Sequence, residues 1–194
     1  TVQNTDVLSI NIDLSSPIGM GNLVVKPKQK GETTVTVKDN VTNETVNLKI
    51  KIVDSYLNLK VAHPAQVPYS GGENLFFINN SDRDFYLFDE KMEKKECTGN
   101  YQFLIKNSTC YMILNFDKEL NDKSTYEYNI SNTSERMFTL IEILLGVDWN
   151  MKADLINRST RSASPVIMNA VDTETNLTQY FVAGSNDIPE NILD

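Results

Sequence analysis

Apolar side chains fall on every second residue along most of this chain. Val35 and Val37 within Gly31-Glu32-Thr33-Thr34-Val35-Thr36-Val37-Lys38, then Val46, Leu48, Ile50 and Ile52, alternate with polar residues. A period of two places one set on each face of a strand. The pattern predicts an antiparallel hairpin covered on one side, turning through Asp39, Asn40, Thr42 and Asn43, whose short polar side chains bond back to local backbone. Upstream, Leu8, Ile10, Ile12 and Leu14 alternate with Ser9, Asn11 and Asp13. That strand ends at Pro17 and Gly19 to Gly21, and a shorter one, 22–26, stops at Pro27. No helical period appears before residue 57, so residues 1–56 are expected to form a small all-β unit.

Leu57, Leu59 and Val61 carry the chain onward, and His63-Pro64-Ala65-Gln66-Val67-Pro68 with Gly71-Gly72 marks a junction. Short strands follow at 74–78, 85–88, 101–106, 110–116 and 126–130. Between them lie turn clusters at 79–82, Thr98-Gly99-Asn100, Asn107-Ser108-Thr109 and Asn121-Asp122-Lys123. Such spacing predicts an antiparallel meander over 57–194, either a barrel or a sandwich. Residues 165–171 and 177–183 complete a last hairpin over Thr173-Glu174-Thr175-Asn176, and Asp187-Ile188-Pro189-Glu190 suits one helical turn. The segment 134–146 fits two structures. Met137, Leu140, Ile141, Leu144 and Leu145 have helical spacing between a capping Ser134 and Gly146, yet Phe138-Thr139-Leu140 also stands where the next hairpin arm belongs.

Composition narrows the function classes. With 40% hydrophobic and 23% charged residues, the 194-residue chain can bury a core. Its net charge of -8 and pI near 4.7 would repel a phosphate backbone, so nucleic acid is not an expected partner. The longest apolar run, 137–147, is interrupted by Thr139 and Glu142 and falls short of the roughly 20 residues of a membrane span. The start, Thr1-Val2-Gln3-Asn4, is polar, which is expected of a chain whose export signal was removed or never existed. Cys97 and Cys110 either bridge or remain as small core thiols. If 101–106 and 110–116 are adjacent hairpin arms, Cys110 sits by the turn and Cys97 at the far end, beyond disulfide reach. Asn-x-Ser/Thr triplets begin at Asn40, Asn43, Asn79, Asn107, Asn129, Asn132, Asn157 and Asn176, a pattern that a chain rich in Asn, Ser and Thr generates by itself.

Two stretches resemble known families. The strand Gly31 to Asp39, with the closing Asn47-Leu48-Lys49-Ile50-Lys51-Ile52, resembles the C-terminal half of a bacterial Ig-like domain, although residues 1–56 are short for its roughly seven strands. That resemblance implies an Ig-like β-sandwich unit serving as an extracytoplasmic spacer or adhesion module, and it supplies no catalytic residues. Leu75-Phe76-Phe77, Gly99-Asn100-Tyr101-Gln102-Phe103 and the run from Tyr126 to Leu140 resemble the lipocalin-like domains of exported bacterial lipoproteins. This implies a barrel rather than a sandwich, at most an internal ligand cavity, and a lipid anchor upstream of Thr1.

Candidate chemistry is sparse. His63 is the only histidine, so a zinc site or a Ser-His-Asp triad would rest on one residue in a turn, and nearby Ser70 lacks a Gly-x-Ser-x-Gly elbow. Asn80-x-Asp82-x-Asp84 begins like a calcium loop but lacks the following Gly and has Lys91 where the bidentate Glu belongs. Asp82, Asp84, Asp89 and Glu90 are acids that a glycosidase could pair, given a separation of about 5 to 9.5 Å. Phe76, Phe77, Phe85, Tyr86, Phe88, Tyr101, Phe103, Tyr111 and Trp149 suit sugar stacking or, more simply, core packing. The mixed-charge run 90–96 suits a solvated loop. No catalytic, cofactor-binding or metal residues are assigned, and no cofactor is expected. The expectation is a mainly β, non-enzymatic exported or surface protein that binds an unidentified carbohydrate or protein. A glycan hydrolase using a carboxylate pair and a subunit of a surface assembly are the alternatives.

Overall fold

Twelve strands and one helix form among the described residues of the computed structural model, which are 1–13, 15, 21–149, 166–184, 189 and 192. Leu14, Pro17, Gly19, Asn157 and the helical turn expected at 187–190 lie outside that set. The chain divides into one unit spanning Thr1–Asp54 and a second beginning at Ser55.

In the first unit, β1 (Leu8–Asp13) pairs antiparallel with β2 (Asn22–Pro27), and β3 (Gly31–Lys38) with β4 (Thr45–Ile52). The β3–β4 register sets Val35 opposite Leu48 and Val37 opposite Val46, so the alternating residues share a face. Asp39 closes the turn, accepting the N–H groups of Val41 (2.6 Å) and Thr42 (3.0 Å). Residues 1–3 add to the other edge of β3: the Gln3 N–H donates to Thr34 and the Thr36 N–H to Thr1. Coverage of the apolar face stops halfway, which corrects the expectation of a fully covered hairpin. Val35 is buried, whereas Val37, Leu48 and Val46 are exposed, the last at 57%. Beyond Val35 no element among the described residues reaches the hairpin tip to cover it.

The second unit is a closed barrel of eight antiparallel strands, each next to its sequence neighbour: β5 (Tyr56–Val61), β6 (Asn74–Ile78), β7 (Asp84–Phe88), β8 (Lys95–Lys106), β9 (Thr109–Leu120), β10 (Lys123–Asn129), β11 (Ile167–Asp172) and β12 (Thr178–Ala183). β12 returns to pair with β5. Closure removes the sheet edges that an open meander would expose. Period two holds all the way round. Leu57 and Leu59, Leu75 and Phe77, Phe85 and Leu87, Met112 and Leu114, Tyr126 and Tyr128, Met168 and Ala170 point inward into one continuous core. Phe77, Phe85, Tyr101, Phe103, Phe116, Tyr126 and Trp149 meet there mostly at edge-to-face angles, with centroids 5.0–6.2 Å apart.

Thr98-Gly99-Asn100, expected to be a turn, runs through the middle of β8. The reason is packing. Gly99 lies in register with Phe85 on one side and Phe116 on the other, and these rings contact edge-on at 5.0 Å. A Cβ on Gly99 would stand 2.0 Å from the Asn115 carbonyl oxygen and 2.7 Å from the Phe85 ring. Glycine is there to let backbone and rings close together, a role that local turn composition does not distinguish.

The ambiguous segment is helical. α1 (Glu135–Leu145) begins at Ser134, whose Oγ accepts the Met137 N–H, and ends at Gly146 in the left-handed region. Met137, Phe138, Ile141 and Leu145 face the barrel core, so α1 closes the end reached by β10 and β11. Arg83 donates to the Leu145 carbonyl and to Asn79 Oδ1 (2.8 Å), Ser55 donates to the Leu144 carbonyl, and Trp149 Nε1 donates to the Phe138 carbonyl (3.2 Å). A cation and two further donors thereby satisfy exposed helix carbonyls.

Candidate functional site

The end of the barrel opposite α1 is ringed by the connection 62–73 and the turns after β7, β9 and β11. Pairing between β10 and β11 covers only Tyr128 with Asp172 and Asn129 with Val171, extended by the Thr173 N–H donating to the Glu127 carbonyl. Past that point β10 and the β11–β12 turn separate. The gap is a hollow of about 250 Å³ lined by Gln66 and Val67, by Asn121, Lys123, Tyr126 and Tyr128, and by Asp172, Glu174, Thr175, Leu177 and Gln179.

Its polar groups are held firmly. Gln179 is buried; its Oε1 accepts the Gln66 N–H (2.7 Å) and its Nε2 donates to the carbonyls of Ala62 (3.2 Å) and Tyr180 (2.7 Å), pinning the 62–73 connection over the mouth. Asp172 Oδ1 accepts the N–H groups of Glu174 and Thr175 and the Thr175 hydroxyl, so it shapes the turn. Lys123 pairs with Glu174 at 2.8 Å and lies 4.8 Å above the Tyr126 ring. On the rim, Val67 and Leu177 are exposed.

Tyrosine satisfaction separates the floor of this hollow from the rest of the core. The hydroxyls of Tyr101 and Tyr126 donate to the backbone carbonyls of Ile78 and Leu120. Those of Tyr69 and Tyr128 are buried without a partner. The two lie close enough for each to perturb the other's ionisation, but they do not reach hydrogen-bond geometry, and it is that geometry that decides whether a buried hydroxyl is satisfied. Burial raises both phenols well above their ordinary value, so each is neutral and able to donate. Tyr128 is 1% exposed and belongs to the hollow's lining, which makes its hydroxyl an unused valence there.

The sequence candidates end up elsewhere. His63 is exposed in the 62–73 connection with its ring against Gly71, and the neighbouring Ser70 N–H donates to Glu73. Asn80 donates to Asp84 Oδ2 (2.7 Å) and accepts the Asp84 N–H (3.0 Å), so this run caps its own hairpin turn. Among the described residues no cluster of three His, Cys, Asp or Glu side chains is placed to hold a metal ion. Asp82 and Asp84 precede β7 while Asp89 and Glu90 follow it, about 17 Å away at strand rise, too far to act as a pair across a scissile bond. Asp89 and Glu90 do join Glu73 and Glu96 around a second hollow of about 340 Å³. Each of these acids has a local partner: Glu73 accepts the Gly71 N–H, Asp89 the Glu93 N–H, Glu90 meets Lys60 and Glu96 meets Lys94. The largest hollow, about 390 Å³, is an open depression on β3 and β4 lined by Gln3, Glu32, Thr34 and Lys49 among others, with no buried unpartnered group.

Cys97 and Cys110 are both buried and free. Cys110 pairs in register with Ile105, which is about 26 Å along β8 from Cys97 at strand rise, so a bridge is geometrically excluded. Burial pushes the Cys97 thiol up to about 11 and also raises Cys110, which suppresses the nucleophilic thiolate. Of the mouth residues, Asp172, Gln179 and Tyr69 were not candidates. A signal existed: Asp172 follows Met168 and Ala170 in the inward phase, and Gln179 precedes Phe181, so each hairpin arm carries one polar residue on its core face. No protein-family profile, curated protein or solved structure matches this chain.

Proposed function

We propose that this chain is a non-enzymatic, exported or cell-surface binding module that takes a small ligand at the open mouth of its barrel. One observation carries the reading: the Tyr128 hydroxyl, buried and unpartnered on the floor of a hollow whose other polar groups are fixed. A buried hydroxyl left without a partner is destabilising by about 1–3 kcal/mol, and a ligand atom removes that penalty. Placement outside the cytoplasm rests on the resemblance to Ig-like and lipocalin-like modules. The test is thermal denaturation of the full chain against a chemically broad set of small molecules, beside Thr175→Trp, which fills the mouth. The expected result is stabilisation by some compounds that Thr175→Trp abolishes. Stabilisation indifferent to that substitution, or none at all, overturns the reading, and turnover of aryl glycosides would favour the hydrolase.

A second reading, a subunit of a surface assembly, is favoured by β4. Its odd-numbered residues Thr45, Asn47 and Lys49 direct backbone groups away from β3, along an exposed edge beside the uncovered Leu48 and Val46. A second copy adding its own β4 would extend that apolar face. Light scattering over a concentration range checks it, and a strict monomer refutes it.

A further inference from the structure

Size, charge and unused valences at the mouth together restrict what it can hold, given the reading of the mouth as a ligand site. A hollow of about 250 Å³ is smaller than the ~300–1,000 Å³ that admit drug-sized molecules, so its occupant is about the size of one ring. Lys123 is already compensated by Glu174, which leaves Asp172 as the uncompensated charge of the lining. On a chain of net charge -8 this disfavours an anion. A cation fares no better, because the Lys123 ammonium already occupies the Tyr126 face that a cation would use. The ligand is therefore neutral.

Two hydrogen-bonding positions remain. Tyr128 offers a neutral hydroxyl. The turn uses only Oδ1 of Asp172, which leaves Oδ2 as an acceptor on the lining among the described residues. Val67 and Leu177 supply an apolar rim. A carboxylate acceptor calls for a ligand hydroxyl that donates, the phenol calls for an oxygen that accepts, and the rim calls for a C–H face. We infer that the mouth binds a neutral polyhydroxylated ring, either a free monosaccharide or the terminal sugar of a glycan, with Tyr128 donating to one oxygen and Asp172 accepting from a neighbouring hydroxyl. A planar neutral heterocycle satisfies the hydrogen bonds but offers no C–H face to the rim.

The experiment is an amide NMR titration of the full chain with glucose, galactose, mannose and N-acetylglucosamine, with disaccharides of each, and with acetate, putrescine and uracil as the anionic, cationic and planar comparisons. The inference expects saturable shifts around Tyr128, Asp172 and Leu177 with at least one neutral sugar. Tyr128→Phe, which keeps the ring, and Asp172→Asn, which keeps the Oδ1 acceptor, should each weaken that binding about tenfold. Tighter binding of a disaccharide than of its monosaccharide identifies a glycan end as the source, and equal binding a free sugar. Shifts at the mouth with acetate, putrescine or uracil but with no sugar overturn the sugar assignment and leave the binding reading standing. Sugar binding unchanged in Tyr128→Phe also overturns it. No shift at the mouth with any compound ends both.

Discussion

At the scale of single residues, the least satisfied group in the barrel is the most informative. Tyr128→Phe removes a buried hydroxyl that has no partner, so the unliganded protein is expected to be as stable or more stable by up to about 1 kcal/mol, measured by urea denaturation. The contrast is Tyr101→Phe, which abandons the Ile78 carbonyl and should destabilise by about 1–3 kcal/mol. Gly99→Ala places a methyl against the Asn115 carbonyl and the Phe85 ring, with an expected loss of at least about 2 kcal/mol. Asp117 illustrates pH linkage. The Thr98 hydroxyl, with the Thr98 N–H, holds its carboxyl below the ordinary 3.8. A depressed value means the folded state prefers the carboxylate. Its stabilisation is complete above the unfolded-state value and fades as pH falls through the folded one. Carboxyl NMR should show Asp117 titrating below 3.8 in the parent and closer to 3.8 in Thr98→Val.

Elements differ in how much of their structure is decided locally. α1 carries its own start and stop signals, yet the same letters also fit a hairpin arm. The barrel core settles the matter by taking Met137, Phe138, Ile141 and Leu145 as a plug, which a strand, alternating its faces, could not provide. Ser134→Ala should cost about 0.5–1 kcal/mol, as its cap bond is long at 3.4 Å. β8 shows the reverse case: Thr98-Gly99-Asn100 has turn composition, and cross-strand packing on both sides makes it strand. Even the β3–β4 hairpin, whose pattern is the clearest in the chain, has a face that local periodicity defined but no partner element fully covers.

For the whole molecule, the two units differ in core. Thr1–Asp54 fully buries only Val7, Leu8 and Val35 among its described apolar residues, whereas the barrel buries a continuous aromatic and aliphatic cluster. A unit of that size with so small a core is marginal. Calorimetry should therefore resolve two transitions, the first unit melting below the barrel, and amide exchange should be faster in β3 and β4 than in β6 and β9. A single transition with uniform protection would contradict this. Thiol titration offers a second test of the barrel. Cys97 and Cys110 should resist modification at pH 8 in the native state and react fully on unfolding.

The alternation of apolar and polar residues determined on its own that this is a β protein, where most strands run, and which side chains of each strand share a face. It did so because strand geometry ties side-chain direction to sequence parity, a purely local rule. Closure of eight strands, the helical state of 135–145 and the placement of Gly99 within a strand were decided by the tertiary structure, since each depends on what fills the space between distant segments. The mouth belongs with these. Tyr69, Tyr128, Asp172 and Gln179 come from four separate segments, and a hydroxyl is left unpartnered only with respect to neighbours that the folded barrel brings to it.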